Sequence, residues 1–396
     1  MQNLQFDPKI NKKVAKKVQK PLSCFDCDDA SIGVLVYIIM QFLVTLVAVA
    51  LLRNGVKYNN FFYFVYAFFV EGVFGLAVLF VSGIRKRQFI PAVGFKKKMN
   101  GALIGCAVVV SIICLLGLGR VSDFFVTILN SIGYTSVTSG IQVDSFGKLL
   151  MYTILIGIMP ALCEELLFRG LVLNGLARYG KNLAVFGSAF FFMIMHGNPD
   201  QTVHQFILGV IFGYIVYYTG NIWITIIIHF CNNFFVLLIN FVFNLLSSGE
   251  TASTEVTETL SEQASIGSSI VSFIISAAIV AVSVYLIYKV LEKIIAENKN
   301  INGLPDYVKK DDFKILKAGE LFDDVAGAQS DAVAAADGDA ISDAGNSGEI
   351  VCEKTGVAGA KEGGPKVSVM AWILFAVSTI YFAYEWIAAL IEGFSK

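Results

Sequence analysis

The sequence predicts an all-α fold, a polytopic helical bundle in a membrane, and two observations lead to this prediction. Hydrophobic residues make up 56% of the 396 residues and charged residues only 15%, a balance typical of proteins that sit in lipid. Apolar runs of about 20 residues, long enough to cross a hydrocarbon core, recur along the chain. We therefore expect eight or nine transmembrane helices. Their predicted spans are 31–52, 60–84, 101–119, 148–178, 182–197, 203–219, 221–246, 269–291 and 367–391.

Basic residues flank the first two predicted spans. Six lysines lie within 9–20, before the first span, and six Lys and Arg residues lie within 85–98, after the second. Because short loops rich in Lys and Arg stay in the cytoplasm, the N-terminus is predicted to be cytoplasmic. The long first apolar run indicates a membrane anchor rather than a cleaved signal peptide. We expect the protein in the cell membrane of a prokaryote, with the lipid bilayer as its surroundings.

The pattern of apolar and polar segments predicts the domain organisation. A hydrophilic segment rich in Ala, Gly and Asp separates the last two spans, and this composition is typical of a disordered linker. The predicted divisions are a basic cytoplasmic arm (1–30), N-terminal transmembrane helices (31–147), a core with ionisable residues (148–246), an acidic loop with the eighth helix (247–292), the acidic linker (293–366) and a C-terminal transmembrane helix (367–396).

The fourth predicted span contains two adjacent acids and a base. A charged side chain at the centre of a span costs roughly 2.5 to 3.5 kcal/mol on insertion scales, so such residues indicate functional sites. Glu165 and Arg169 are four residues apart and share one helix face, whereas Glu164 points about 100° away. Glu164 is therefore predicted to be protonated or to face water, a metal or a histidine. The alternative is that Glu164 only caps a polar seam between helices.

Two histidines match the depth of this acid. Glu164 lies sixteen residues before Gly180 and His196 sixteen residues after it, each about 24 Å of helix from that predicted turn. An antiparallel hairpin brings the two side chains level. His204 lies sixteen residues before Gly220, so spacing alone does not choose between His196 and His204. A hydrogen bond between helices is the ordinary interpretation of an isolated intramembrane histidine, and we apply it to His204.

The third histidine, His229, shares a helix face with Asn233 four residues later. Three short motifs thus follow one another on separate spans: Glu164-Glu165-x-x-x-Arg169, Phe192-x-x-x-His196 and His229-x-x-x-Asn233. Their ordered combination over about 150–245 resembles the CPBP intramembrane proteases. This family includes the type II CAAX prenyl endopeptidases and bacterial proteins of bacteriocin processing and self-immunity.

The resemblance implies an endopeptidase whose substrate is a peptide or a lipidated protein, with no nucleic acid as a partner. It implies that Glu164 and His196 activate a water. A carboxylate beside an imidazole suits this role, and the N–H groups of His229 and Asn233 suit the oxyanion of a scissile amide. The residues implied to support the site are Glu165, Arg169 and Phe192.

The residues leave open whether a metal takes part. Two histidines and a glutamate match a catalytic zinc site with an open position, so Glu164, His196 and His229 are candidate ligands and zinc is the candidate cofactor. The same residues also work without metal, as a glutamate-dependent hydrolase. Asn233 is a poor zinc ligand and a good donor to an oxyanion, which favours the metal-free mechanism.

Two other classes of protein use similar residues. One is a catalytically silent membrane protein that binds a peptide in the same polar cavity, in immunity or as a scaffold. The other is a transporter, which the helix interruption near Pro199 suggests. No repeat between the two halves of the chain is obvious, and this disfavours the transporter.

Overall fold

The described part of a computed structural model comprises residues 25–136, 142–247, 266–305, 307–308 and 367–395. Within these residues the chain forms helices and no strand, which confirms the predicted all-α class. The helices are α1 (Cys27–Arg53), α2 (Asn60–Ile84), α3 (Phe89–Ala92), α4 (Gly101–Ser131), α5 (Phe146–Ala177), α6 (Lys181–Met195), α7 (Thr202–Thr219), α8 (Ile222–Ser247), α9 (Ile266–Asn302) and α10 (Val369–Ser395).

Eight of the described helices are long and apolar enough to cross a membrane, and α6 is a shorter apolar helix of 15 residues. Large apolar side chains such as Phe42 and Leu46 on α1 are exposed on the outside of the bundle. Surface of this kind is stable when lipid covers it. The chain is therefore an integral, multi-pass membrane protein, as predicted.

The first and last helices begin at the same face of the bundle. Ser368, next to the start of α10, donates a hydrogen bond to Asp28 in the first turn of α1. At the far end of α10, the Gly393 carbonyl accepts from the Thr135 backbone N–H at 2.8 Å, just beyond α4. The C-terminal helix is thus part of the same bundle as the predicted core.

The helix α9 is longer than predicted and corrects the predicted boundary at 292. It continues to Asn302, because its polar last turns bind the turn between α7 and α8 and the segment before α4. Asn298 Nδ2 donates to the Thr219 carbonyl at 3.0 Å, and Asn302 Nδ2 donates to the Lys98 carbonyl at 2.9 Å. The predicted linker 293–366 therefore starts inside a helix. Its remaining part from 309, the acidic stretch 248–265 and the basic arm up to 24 lie outside the described residues.

Two glycines allow α6 and α7 to pack closely. A Cβ atom built on Gly209 would lie 2.9 Å from the Ala189 Cα, and one on Gly213 would lie 3.1 Å from the Val185 Cγ1. Small residues one turn apart let transmembrane helices approach in this way. The close packing fixes α6, which carries two of the predicted site residues, against α7.

Candidate active site

A buried ion pair within α5 also contacts α8. Arg169 Nη1 donates to Glu165 Oε1 at 2.8 Å, and both side chains are fully buried. The same carboxylate oxygen accepts from His229 Nδ1 at 3.2 Å. The pairing of Glu165 with Arg169 follows the four-residue spacing seen in the sequence. The contact with His229 was not predicted, and it brings the third motif to the depth of the first.

The guanidinium of Arg169 is held by aromatic rings as well as by charge. Its Cζ atom lies 4.3 Å from the ring centroid of Phe192 and 5.0 Å from that of Phe212. Its Nη2 donates to the Gly209 carbonyl at 3.4 Å. Cation–π contacts are strong where water is absent, so the two rings help to keep this cation inside the bundle. Phe192 therefore contacts the predicted supporting residue Arg169, and its own supporting role stays a prediction.

His196 ends α6 and has a defined hydrogen bond. Its Nδ1 lies 2.7 Å from the Phe192 carbonyl oxygen. A carbonyl can only accept, so Nδ1 donates the proton and Nε2 of the neutral ring is left as an acceptor. The next residue, Gly197, has a φ of 57°, in the left-handed region that glycine adopts without strain. This turn ends the helix and leaves the imidazole at its terminus.

Glu164 differs from its neighbour in having no ion-pair partner among the described residues. Its residue exposure is 5%, and its Oε2 atom is buried without a hydrogen bond from the described protein atoms. Arg169 interacts electrostatically with Glu164 and also with His196. No direct hydrogen bond joins Glu164 to His196 in the described structure, so the two can act together only through a molecule that contacts both.

Asn233 lies on α8 and contacts a distorted part of α5. Its Nδ2 donates to the Ile156 carbonyl at 2.8 Å. Ile156 lies in the π-helical segment Thr153–Ile158, one of two such segments that flank the α-helical turn Met159–Glu165. Pro160 has no N–H, so the carbonyl four residues before it lacks its usual helical donor and accepts from Asn233 instead. One of the two amide hydrogens of Asn233 remains for another acceptor.

His204 interacts electrostatically with His196, but its own hydrogen bond is to a different helix. It interacts with the backbone of Leu118 on α4, whereas His196 and His229 both contact the ring of Phe192 at centroid distances of 5.0 and 5.9 Å. This agrees with the interpretation of His204 as a contact between helices. Packing brings His196 and His229 to the ring of Phe192, and the role of His196 in the site stays a prediction.

One acid near this site, Glu71 on α2, was not among the predicted site residues. Its Oε2 atom is buried without a hydrogen bond from the described residues, and its carboxylate interacts electrostatically with Glu164. The helices α2 and α5 touch here, since a Cβ on Gly75 would lie 3.5 Å from the Cys163 Sγ. A single acid within an apolar span was the available signal, because the insertion cost that drew attention to Glu164 applies equally to Glu71.

The zinc site predicted from the sequence consists of Glu164, His196 and His229. In the described part of the chain, no group of three His, Cys, Asp or Glu side chains is placed so that it could hold a metal ion. Glu164, His196 and His229 as a zinc site therefore stay a prediction. No step of the hydrolysis proposed below is assigned to a metal.

The three motifs lie within one segment of the membrane-spanning bundle that resembles a family of intramembrane proteases. Residues 146–235 match the family described as type II CAAX prenyl endopeptidase Rce1-like, so this part of the chain is an Rce1-like domain. The match confirms the resemblance seen in the sequence and covers the segment that contains all three motifs. No curated protein and no solved structure matched the chain.

Proposed function

We propose that this protein is an intramembrane endopeptidase that hydrolyses a peptide bond of a membrane-associated, lipidated or small peptide substrate. The observation that carries the proposal is the contrast between two adjacent acids in the Rce1-like domain. Glu165 is ion-paired with Arg169, while Glu164 is buried without an ion-pair partner in the described structure. A buried carboxylate without a partner is expensive in a membrane, and a reactive role explains why it is kept.

In the proposed reaction, Glu164 and His196 activate one water. The Glu164 carboxylate takes a proton from the water, and His196 Nε2 accepts the hydrogen bond of its second hydrogen. The resulting hydroxide oxygen bonds to the carbonyl carbon of the scissile amide and forms a tetrahedral oxyanion. Glu164 then passes its proton to the amide nitrogen as the carbon–nitrogen bond breaks, which leaves a carboxylic acid and an amine.

His229 and Asn233 would stabilise the oxyanion through their N–H groups. Asn233 still has one amide hydrogen to donate, because only one is needed for the Ile156 carbonyl. For His229, Nδ1 already donates to Glu165, so Nε2 has to supply the second N–H. The Glu165 carboxylate then provides the opposite charge beside the ring.

An apolar cavity supports a substrate that carries a lipid chain. The cavity has a volume of about 480 Å³ and lies between α6 and α10. Phe191 on its wall is the neighbour of Phe192, which contacts both His196 and His229. The lining residues are Leu176, Leu183, Gly187, Phe190, Phe191, Val367, Trp372, Phe375, Ala376, Thr379 and Ile380. Such a wall binds an isoprenyl or acyl chain by apolar burial.

The basic residues at the face where α1 begins support a cytoplasmic N-terminus. This face includes Arg85 and Arg87, which bind the start of α1. The location that fits this orientation is the cell membrane of a prokaryote. Labelling of single cysteines introduced on either side of α1 would test this orientation. We expect a cysteine on the N-terminal side of α1 to react only after the membrane is permeabilised.

The central test uses purified full-length protein in liposomes with two fluorogenic peptides of identical sequence, one farnesylated on a C-terminal CAAX cysteine and one unmodified. We expect the wild type to cleave the farnesylated peptide and Glu164→Gln to cleave neither peptide. The two proteins should have equal melting temperatures. Asp123→Asn, which changes an exposed acid on α4, is the matched control and should cleave normally.

Equal cleavage by wild type and Glu164→Gln would contradict the proposal. Incubation with 1,10-phenanthroline and metal analysis of the same preparation test the metal-free mechanism. Retained activity in the chelator is the expected result, and loss of activity that zinc restores would show that a metal is required.

A further inference from the structure

Glu71 is the only acidic or basic residue of α2, and α2 lies outside the segment that matches the protease family. Its helix is nevertheless packed against the catalytic part of α5. Gly72 and Gly75 face α5, because Cβ atoms built on them would lie 4.0 Å from the Met159 Cε and 3.5 Å from the Cys163 Sγ. Glu71 is one turn from Gly75 and therefore on the same side of α2.

The surroundings of Glu71 contain acids and phenols but no described ion-pair partner. The titratable groups that interact with it are Glu164 and Cys163 on α5, Tyr37 on α1 and Tyr63 on α2 itself. Tyr381 on α10 also interacts with Tyr37. Arg169 interacts with Glu164, so the charge of this acid has a cation nearby, whereas Glu71 depends on its neighbours for hydrogen bonds.

Two buried carboxyl oxygens thus each need a hydrogen-bond donor. The Oε2 atoms of Glu71 and Glu164 are both buried without a hydrogen bond from described atoms. Two neighbouring carboxylates do not both stay ionised away from water, so one proton between them is favoured. A shared O–H···O⁻ hydrogen bond then satisfies one oxygen of each acid and is among the stronger hydrogen bonds in proteins.

We propose that Glu71 is a positioning residue for the reaction, a neutral carboxylic acid whose hydroxyl donates a hydrogen bond to the Glu164 carboxylate. This inference rests on the proposed function, since it assigns a partner to the proposed general base. One Glu164 oxygen is held by Glu71, and the other stays directed at the water. The flanking helix α2 therefore orients the base of the Rce1-like domain.

Substitutions at Glu71 test the hydrogen bond through the reaction. Glu71→Met fills similar space without a donor, whereas the Glu71→Gln amide can still donate to Glu164. Loss of a charge-assisted hydrogen bond should lower kcat for the farnesylated peptide about 10- to 100-fold in Glu71→Met, with KM unchanged. Glu71→Gln should retain kcat within about threefold. Wild-type kcat in Glu71→Met, or equal impairment of both variants, would overturn the inference.

Infrared spectroscopy tests the same hydrogen bond without substrate. We expect a carboxylic-acid C=O stretch in the wild type and in Glu164→Gln, and its loss in Glu71→Gln. Asp123→Asn should leave the band unchanged. A band that survives in Glu71→Gln and vanishes in Glu164→Gln would place the proton on Glu164 and overturn the assignment. A wild type that cleaves no peptide would contradict the proposed function alone, because the band is measured independently of turnover.

Discussion

Two ionic clusters in this protein contain the same types of residue in different surroundings. Inside the bundle, Glu165 and Arg169 have no exposed side-chain surface. At the ends of α1 and α2, Asp26 and Asp29 bind Arg85 and Arg87, and Asp26 and Arg85 keep 41% and 37% of their side chains exposed. Water can replace partners lost by Asp26 and Arg85, although Asp29 and Arg87 of the same cluster are buried, whereas no member of the inner ion pair is reached by water.

The clusters also differ in their balance of charge. At the helix ends two acids meet two arginines, and Asp29 alone accepts from Arg85 Nε at 2.6 Å and from Arg87 Nε at 2.8 Å. Inside the bundle a single arginine, Arg169, interacts with two acids, Glu165 and Glu164, and a third acid, Glu71, interacts with Glu164. The outer cluster fastens two helices. The additional acids inside the bundle are not needed to hold helices together, and we propose that the hydrolysis takes place there.

The largest expected effect is that of removing the inner cation. Arg169→Ala leaves Glu165 charged and buried and removes the contacts to Phe192 and Phe212. Breaking a buried ion pair in this way costs about 3 to 5 kcal/mol. We expect a loss of this size in the free energy of unfolding in detergent, together with loss of peptide cleavage.

The matched control is Arg120→Ala, which removes an exposed arginine from α4. Its unfolding free energy should stay within about 0.5 kcal/mol of the wild type, as for most surface substitutions. Equal destabilisation by Arg169→Ala and Arg120→Ala would show that burial does not increase the contribution of the ion pair to stability.

The second prediction compares His196, which has a proposed role in the reaction, with His204, which has none. His196→Ala removes a proposed acceptor of the water and should lower kcat about 10²- to 10⁴-fold, the usual contribution of an acid or base. His204→Ala removes a contact with the backbone of Leu118 and a weaker electrostatic interaction with His196, and it should leave kcat within a few-fold of the wild type. Steady-state cleavage of the farnesylated peptide measures both, and a reversed order would exchange the roles of the two histidines.

Much of the fold was predictable because length and apolarity set the position of a transmembrane helix. The span 60–84 agrees with α2 to the residue, and the spacing of Glu165 and Arg169 predicted their ion pair. The end of α9 was not predictable in this way. Its last turns are polar, and they stay helical because Asn298 and Asn302 bind loops that are distant in sequence.

The candidate site shows the same limit. Contacts along one helix follow from spacing, whereas the contact of His229 with Glu165 and the approach of Glu71 to Glu164 arise from packing between helices. The hydrogen bond of Asn233 with Ile156 was in part foreseeable, because Pro160 leaves a carbonyl without its helical donor. Identifying the side chain that supplies the donor required the structure.

The third prediction concerns the buried acid of the outer cluster. Asp29→Asn keeps one acceptor oxygen but loses the charge that binds Arg85 and Arg87 and the capping contact with the Asp26 N–H at 2.9 Å. Hydrogen bonds to charged groups contribute about 1.5 to 3 kcal/mol each, and water can restore part of this for Arg85, whose side chain is 37% exposed. We expect about 1 to 3 kcal/mol lower unfolding free energy and an unchanged kcat. A drop in kcat with no change in stability would couple this cluster to the active site.

The smallest effect is expected at the exposed end of the same cluster. The hydrogen bond with Asp29 raises the pKa of Arg85 above its ordinary value, so Arg85 stays charged throughout the usable pH range. Its side chain is nevertheless 37% exposed, and exposed ion pairs contribute only about 0 to 1 kcal/mol. Arg85→Ala should therefore cost less than about 1 kcal/mol, and the difference should shrink as salt screens the charges. Unfolding at low and high ionic strength measures this, and a large, salt-independent loss would mean that Arg85 is desolvated like Arg169.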